Sequence, residues 1–244
     1  MLSHFYWTYS GAGATIDIAL LKKERGPRLE CRSLRRKIFP GAQRREADAM
    51  IEPVSRTEHP VFTVLFILAA AAVNIGSACL LRLFNVPLYF DSWCTFTIAA
   101  LFGLWPSLSV AVLTNTVLSL LGFRRWPLML CHVLTALGAW AVFRRGRSRG
   151  LTAFLWAGLL SAVSNGIVGS ILSYHIYSGL TKVNQIDNLV LAVQSACQNL
   201  SLSVYIGGII SNIGDKGLSA VLAWGLWLPC AAFFRKQAPA CAHN

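Results

Sequence analysis

The chain has 244 residues, 55% of them hydrophobic and only 13% charged, with a formal net charge of +12. Average soluble domains carry about one quarter charged residues, so an ordinary water-soluble domain is excluded. The basic excess does not point to nucleic acid, because Lys and Arg placed between apolar spans act as orientation signals and contacts to anionic lipid.

The charges are segregated. Residues 1–58 hold eleven Lys/Arg and seven Asp/Glu, whereas the rest of the chain holds eleven Lys/Arg and only three acids, Asp91, Asp187 and Asp215. This divides the chain into a basic, flexible cytoplasmic leader (1–58), a helical membrane domain (59–236) and a short tail (237–244). The leader lacks the order of a cleavable signal peptide, in which a few basic residues precede an apolar core. Both Met1 and Met50 stand open as the true start.

The first apolar run, Val61–Leu83, is long enough for a hydrocarbon core of about 30 Å at 1.5 Å per residue. It carries small residues at Ala69, Ala72 and Gly76, which let another helix approach closely. Packing within the chain and docking to a partner subunit both fit them. Two short apolar runs follow, Tyr89–Leu104 and Ser107–Gly122, divided by Gly103-Leu104-Trp105-Pro106. They read as a helical hairpin with Asp91 at its mouth and Thr95 one turn further on. Pro106 suits the first turn of a new helix, where its missing N–H costs nothing. A fourth run, Pro127–Phe143, precedes Arg144, Arg145, Arg147 and Arg149, the strongest cytoplasmic marker of the membrane part.

The fifth run, Thr152–Tyr177, repeats small residues every four positions in two adjacent rows: Gly158, Ala162, Gly166, Ser170 and Ser161, Asn165, Gly169, Ser173. One broad face of small and weakly polar groups results, suited to tight packing or to lining a cavity. Asn188–Asn212 is the most polar run, with Gln194 and Gln198 on one stripe. Gly214-Asp215-Lys216-Gly217 reads as a break, with Asp215 capping a last span, Leu218–Phe234. Placing the leader, the 144–149 cluster and Arg235-Lys236 on one side leaves one run too many. The expectation is therefore an all-α integral membrane protein of about six transmembrane helices, with Asn188–Asn212 as a re-entrant or cavity-lining helix. Seven spans are the alternative.

Little supports catalysis. Nucleotide-binding loop, GxSxG, HExxH and paired carboxylates are all missing, and no enzyme, cofactor or metal site is expected. The seven Cys form no CxxC pair and lie mostly in apolar runs, where Cys behaves as a small hydrophobe. A carboxylate at a membrane helix end is costly unless hydrated, paired or used, so Asp91 is a ligand candidate as well as a helix cap. Asn115 and Asn165 fit an interhelical hydrogen bond or a ligand, and His132 a packed neutral histidine. His175, among tyrosines near a span end, is a further ligand candidate. Adjacent Asp215 and Lys216 lie off one another's helical face and are not expected to pair tightly.

Leu88-Tyr-Phe-Asp91-Ser with Thr95, then Ala100-Leu-Phe-Gly103 and Leu113-Thr114-Asn115, resembles the substrate-binding membrane subunits (S components) of energy-coupling-factor vitamin transporters. Asn212-Ile-Gly-Asp215-Lys216-Gly217-Leu-Ser-Ala resembles the family's closing motif before the last helix. The likeness covers roughly Val61 to Phe234. The chain departs from it at Trp93-Cys94, at Trp105 before Pro106 and in its extended leader. The resemblance implies six helices in a bacterial cytoplasmic membrane, with the N-terminus cytoplasmic. It also implies capture of a vitamin-like solute from outside, with Asp91, Thr95, Asn115, Asn165, His175, Gln194 and Gln198 as candidate contacts. A transmembrane coupling subunit and two ATPases are the implied partners, the first docked on Ala69, Ala72 and Gly76. The candidate contacts suit many vitamins, modified nucleobases or amino-acid derivatives. A membrane sensory or anchoring module is the alternative, and a scaffold using the basic leader on lipid a third.

Overall fold

The computed structural model of the chain describes residues 60–123, 126–145, 149–181 and 183–237. The chain divides into two units, Met1–Ala47 and Asp48–Asn244, and every described residue belongs to the second. The leader, Arg124, Arg125, Arg147 and residues 238–244 lie outside the described residues, as do the side chains of Arg235 and Lys236.

The described residues form seven α-helices: α1 Pro60–Leu83, α2 Trp93–Phe102, α3 Leu104–Leu120, α4 Met129–Arg145, α5 Leu151–Tyr177, α6 Asn184–Cys197 and α7 Leu200–Gln237. A short 3₁₀ turn, Trp126–Leu128, leads into α4. α1, α5, α7 and α4 taken with its preceding 3₁₀ turn contain stretches long and apolar enough to cross a membrane, and α2 and α3 are apolar but shorter. Large side chains such as Leu65, Trp105, Trp156 and Ile213 face outward. Water would disfavour so much exposed apolar surface, whereas lipid solvates it. By helix length and hydropathy this is a multi-pass membrane protein.

Contacts between helices fix their directions. Asn74 of α1 reaches Thr95 at the start of α2, and Phe66 of α1 packs on Phe102 at its end, 5.6 Å between ring centroids. α1 and α2 are therefore antiparallel. Gly103, at φ 86° and ψ −155°, turns the chain into α3, a conformation that a side chain would strain. α3 returns beside α1, where Arg82 donates to the Phe123 carbonyl. α7 runs back along α5, so that Phe234 meets both Phe66 and Phe102. One end of the bundle thus holds the start of α1, the Gly103 turn, the α4–α5 link and the end of α7. The other holds the loop 84–92, the 3₁₀ turn, the loop after α5, and α6.

The first end is an alanine and aromatic core. Phe96, Ala99, Ala139, Phe143, Phe154, Ala157, Ala223 and Trp227 are all buried there. Phe154 stacks within 4.7 Å of Phe143 and 6.0 Å of Trp227, centroid to centroid.

Both readings of the α5 small-residue face are realised: the two rows pack on different neighbours, and Asn165, Gly169, Ser170 and Ser173 also line a cavity. The row Gly158, Gly166, Ser170 faces α7: a Cβ on Gly158 would lie 2.8 Å from the Lys216 carbonyl oxygen and 2.9 Å from the Ala220 Cβ. The row Ser161, Asn165, Gly169 faces α4, meeting Gly138, Thr135 and Cys131.

Two expectations are corrected. Asn188–Asn212 is not one re-entrant helix. The chain breaks inside it, where Gln198 adopts φ 53° and ends α6. Asn199 then caps the start of α7, its Oδ1 accepting the Leu202 N–H at 3.0 Å. Gly214-Asp215-Lys216-Gly217 is not a break either. It lies inside the continuous 38-residue α7, so Asp215 caps no helix. A glycine-flanked charge pair reads as a turn because charges and glycines disfavour apolar helix interiors. Here the charges are satisfied by the facing loop 90–92, and the helix continues through them.

Candidate functional site

The polar end closes around a cavity bounded by the loop 84–92, α4, α5, α6 and α7. About 40 Å³ of it is open to water-sized molecules, room for a few waters or a small ligand group. Its walls include Tyr89, Asp91, His132, Asn165, Asn212 and Lys216. Gly169, Gly179 and Gly208 also line it, bringing backbone close to whatever it holds.

The loop that carries Asp91 is held from both sides. Phe90 sits at φ 49°, a backbone conformation that costs a bulky residue about 1 kcal/mol or more. Its N–H donates to Asp215 Oδ1 at 2.6 Å, and its carbonyl accepts from the Ser77 hydroxyl at 2.8 Å. Ser77 also accepts from the Trp93 indole N–H at 3.1 Å. Asp91 is thereby delivered to the cavity wall at 1% exposure. The first turn of α2 is capped from outside itself: Asn74 of α1 accepts the Cys94 N–H at 3.1 Å.

Three charged side chains are buried together. Lys216 donates to Asp215 Oδ2 at 2.6 Å and to Ser92 Oγ at 2.7 Å, and its Nζ lies 3.8 Å from Asp91 Oδ1. The expectation that Asp215 and Lys216 would not pair tightly is overturned. Their Cα–Cβ directions do diverge on the helix, but the four-carbon stem of Lys216 folds its ammonium back onto the preceding carboxylate. Such burial in a membrane is expensive and calls for partners. Asp215 has two, Lys216 and the Phe90 N–H.

A neutral network lies behind the charges. His132 Nε2 is 2.9 Å from Thr95 Oγ1, and its Nδ1 bonds the Asn115 amide nitrogen. Asn115 Nδ2 also donates to the Ala111 carbonyl at 3.0 Å. Because an amide nitrogen only donates, Nδ1 accepts, and the ring proton sits on Nε2, directed at Thr95. The packed, neutral reading of His132 describes this arrangement, and the ring also lines the cavity.

Asn165 has a fixed orientation. Thr135 gives its hydroxyl proton to the Cys131 carbonyl at 3.1 Å, so its oxygen must accept from Asn165 Nδ2, 2.8 Å away. Asn165 Oδ1 is left buried without a hydrogen-bond partner. An unmet buried acceptor costs about 1–3 kcal/mol.

Of the residues singled out in the sequence, Asp91 and Asn165 line the cavity, and Thr95 and Asn115 support its His132 wall. His175 is exposed on α5, away from the lining. Gln194 and Gln198 stand at the α6–α7 turn, where Gln194 O accepts the Gln198 N–H and the Gln198 amide donates to Ser195 O. Ala69, Ala72 and Gly76 lie on an exposed stripe of α1, and the space beside Gly76 is open. Lys216, His132, Tyr89 and Asn212 also line the cavity but are not among the site residues the sequence suggested. For Lys216 the available signal was a lone cation in an apolar run.

Outside the membrane-spanning segments, Arg149 is partly buried, and desolvation lowers its pKa from the usual range. Among the described residues no group of His, Cys, Asp or Glu could hold a metal ion.

Comparison with protein-family models, with curated proteins and with solved structures returns no match.

Proposed function

We propose that the protein is the solute-capture subunit of an energy-coupling-factor type transporter. It would bind a small vitamin-like molecule and deliver it to a transmembrane coupling subunit driven by two ATPases. The observation that carries this reading is the cavity at one end of the bundle, walled by Asp91 from the loop 84–92 and by His132, Asn165 and Lys216 from three helices distant in sequence. A bundle that only anchored or packed would gain nothing from burying three charges around an opening. The small-residue stripe Ala69, Ala72, Gly76 on α1 is available to a second membrane subunit.

In this reading α1, α2, α3, α4, α5 and α7 make six crossings of a bacterial cytoplasmic membrane, with α6 lying at the outer end. The N-terminus, the Gly103 turn and the end of α7 share the cytoplasmic side. That side carries Arg144, Arg145 and Arg149, in keeping with the preference of Lys and Arg for cytoplasmic loops.

Native mass spectrometry of the protein, purified from its own membranes in mild detergent, tests the proposal. The expected result is a retained small molecule together with the masses of a coupling subunit and ATPases. An empty protein without those partners, in a preparation where a known S component keeps both, would overturn it. Removal of residues 1–49 should leave solute binding intact, whereas a scaffold acting through its basic leader would lose its function.

A further inference from the structure

We infer that the cavity wall built by α5 and α7 reads hydrogen-bond donors, and that the captured solute presents N–H or O–H groups to it, as a lactam, a cyclic urea or an amino-substituted ring does. This rests on the solute-capture reading and names the chemical class at that same site.

The protons on this wall are already committed to the protein. Asn212 of α7 donates its Nδ2 to the Gly208 carbonyl at 2.8 Å. A carbonyl only accepts, so the amide cannot be turned the other way, and Oδ1 is the atom left for a ligand. Asn212 is 6% exposed and lines the cavity. Asn165 of α5 reaches the same state by another route. Its Nδ2 donates at 2.8 Å to Thr135 Oγ1, whose own proton goes to the Cys131 carbonyl. Its Oδ1 has no hydrogen-bond partner, on a buried side chain that lines the cavity. Ser170, also buried in the lining, gives its hydroxyl proton to the Val204 carbonyl at 3.2 Å, which leaves its oxygen only lone pairs to offer.

Two of these three residues meet at Gly208. A Cβ there would collide with Ser170 Oγ, so glycine lets α7 come close enough to bring Asn212, one turn further on, to the wall that holds Ser170. Leu128, Ile186, Val190 and Val204 supply apolar lining to the same cavity. Water can serve the wall oxygens in the empty protein. A solute with donors replaces those bonds, and one without them leaves buried acceptors unpaired. Sites of this kind discriminate strongly against analogues that lack the hydrogen-bonding group.

Neutral probes isolate donors from charge. Imidazolidinone, oxazolidinone and ethylene carbonate are five-membered rings with the same carbonyl, carrying two, one and no N–H groups. Each is titrated into the detergent-purified full chain, and thermal unfolding is followed. Imidazolidinone should raise the unfolding temperature by about 2–4 °C once it is well above its dissociation constant. Each N–H replaced by oxygen should weaken apparent binding about tenfold. Asn212→Leu and Asn165→Leu should each reduce the preference for imidazolidinone over oxazolidinone at least twofold. A merely structural role would lower stability without moving that preference, and either variant serves if the other does not fold.

Ethylene carbonate protecting as well as imidazolidinone, or a preference unchanged in the variants, overturns the donor reading but leaves a solute-binding cavity. If none of the three protects and native mass spectrometry still finds a retained solute, the donor reading falls and capture stands. If none protects and nothing is retained, both fall.

Discussion

The two ends of this bundle are built largely from the same helices by opposite rules. At the closed end α2, α4, α5 and α7 meet through Phe96, Phe143, Phe154 and Trp227, with alanines between them. At the other end α4, α5 and α7, joined by the loop 84–92 and α6 in place of α2, present His132, Asn165 and Lys216, with Asp91 from the loop, to a cavity. The closed end needs only volume and shape, which many apolar residues supply. The open end needs particular atoms at particular distances, since each buried polar group must find a partner. Energy lost at one end is therefore packing energy, and energy lost at the other is the cost of an unbalanced charge. Only the second bears on the proposed solute capture.

The sharpest way to break this contrast is to unbalance the ionic cluster. Asp215→Leu leaves the Lys216 ammonium and the Phe90 N–H without their shared acceptor. Losing one member of a buried pair costs about 3–5 kcal/mol. Adding Lys216→Met should restore much of that stability, because both charges are then gone. Thermal or denaturant unfolding in detergent measures both variants. A double variant no more stable than the single one would mean that the pair is not an energetic unit.

At the closed end, Phe154→Ala removes a fully buried ring between Phe143 and Trp227. The expected loss is about 3 kcal/mol, set by the cavity left behind. Solute binding at the far end should be unchanged in the folded fraction. A large loss of affinity would show that the two ends are coupled. Gly158→Ala probes the seam between them. Its Cβ would sit 2.8 Å from backbone at Lys216, a part of α7 that cannot move without disturbing the ionic cluster. Overpacking of this kind costs about 1–3 kcal/mol, and here some of it should also appear as weaker solute binding. Titration of the variant beside Phe154→Ala separates the two effects.

These contrasts also mark what the chain discloses by its order of residues. The apolar runs, the Gly103 turn and the double small-residue face of α5 are local patterns of period and composition, and helices follow them. Asp91 is conspicuous as a lone acid between apolar runs. Asp215 and Lys216 are equally conspicuous, yet their local signal is misleading. Glycines on both sides mimic a turn, and only the facing loop, more than a hundred residues away, turns the pair into part of a helix. The break at Gln198 is hidden for the converse reason. No glycine or proline marks it, and the left-handed residue is a glutamine. Gln194 and Gln198 share a polar stripe, but a stripe does not say whether it faces a cavity or the turn that ends its own helix. The orientation of Asn165 lay beyond sequence altogether, since it depends on where Thr135 sends a proton.

The smallest effect tests whether the arginine cluster does more than orient the chain. Arg149 donates to the Ala100 carbonyl in the last turn of α2 and lies over the Phe143 ring, 5.6 Å from its centroid. The last carbonyls of a helix lack partners within it, and a cation there also suits the helix dipole. Arg149 thus joins the short α2, the end of α4 and the start of α5 at the apolar end. Arg149→Met should cost about 1–2 kcal/mol, combining one charged hydrogen bond with a cation–π contact. Arg149→Lys keeps the charge but not the planar fork that stacks and donates together, and should recover less than half of the loss. If Arg149→Met unfolds at the temperature of the unaltered protein, the residue acts on membrane orientation alone. A stability loss with unchanged orientation, read by labelling cysteines introduced at either end, would make it the fastening of the α2–α3 hairpin.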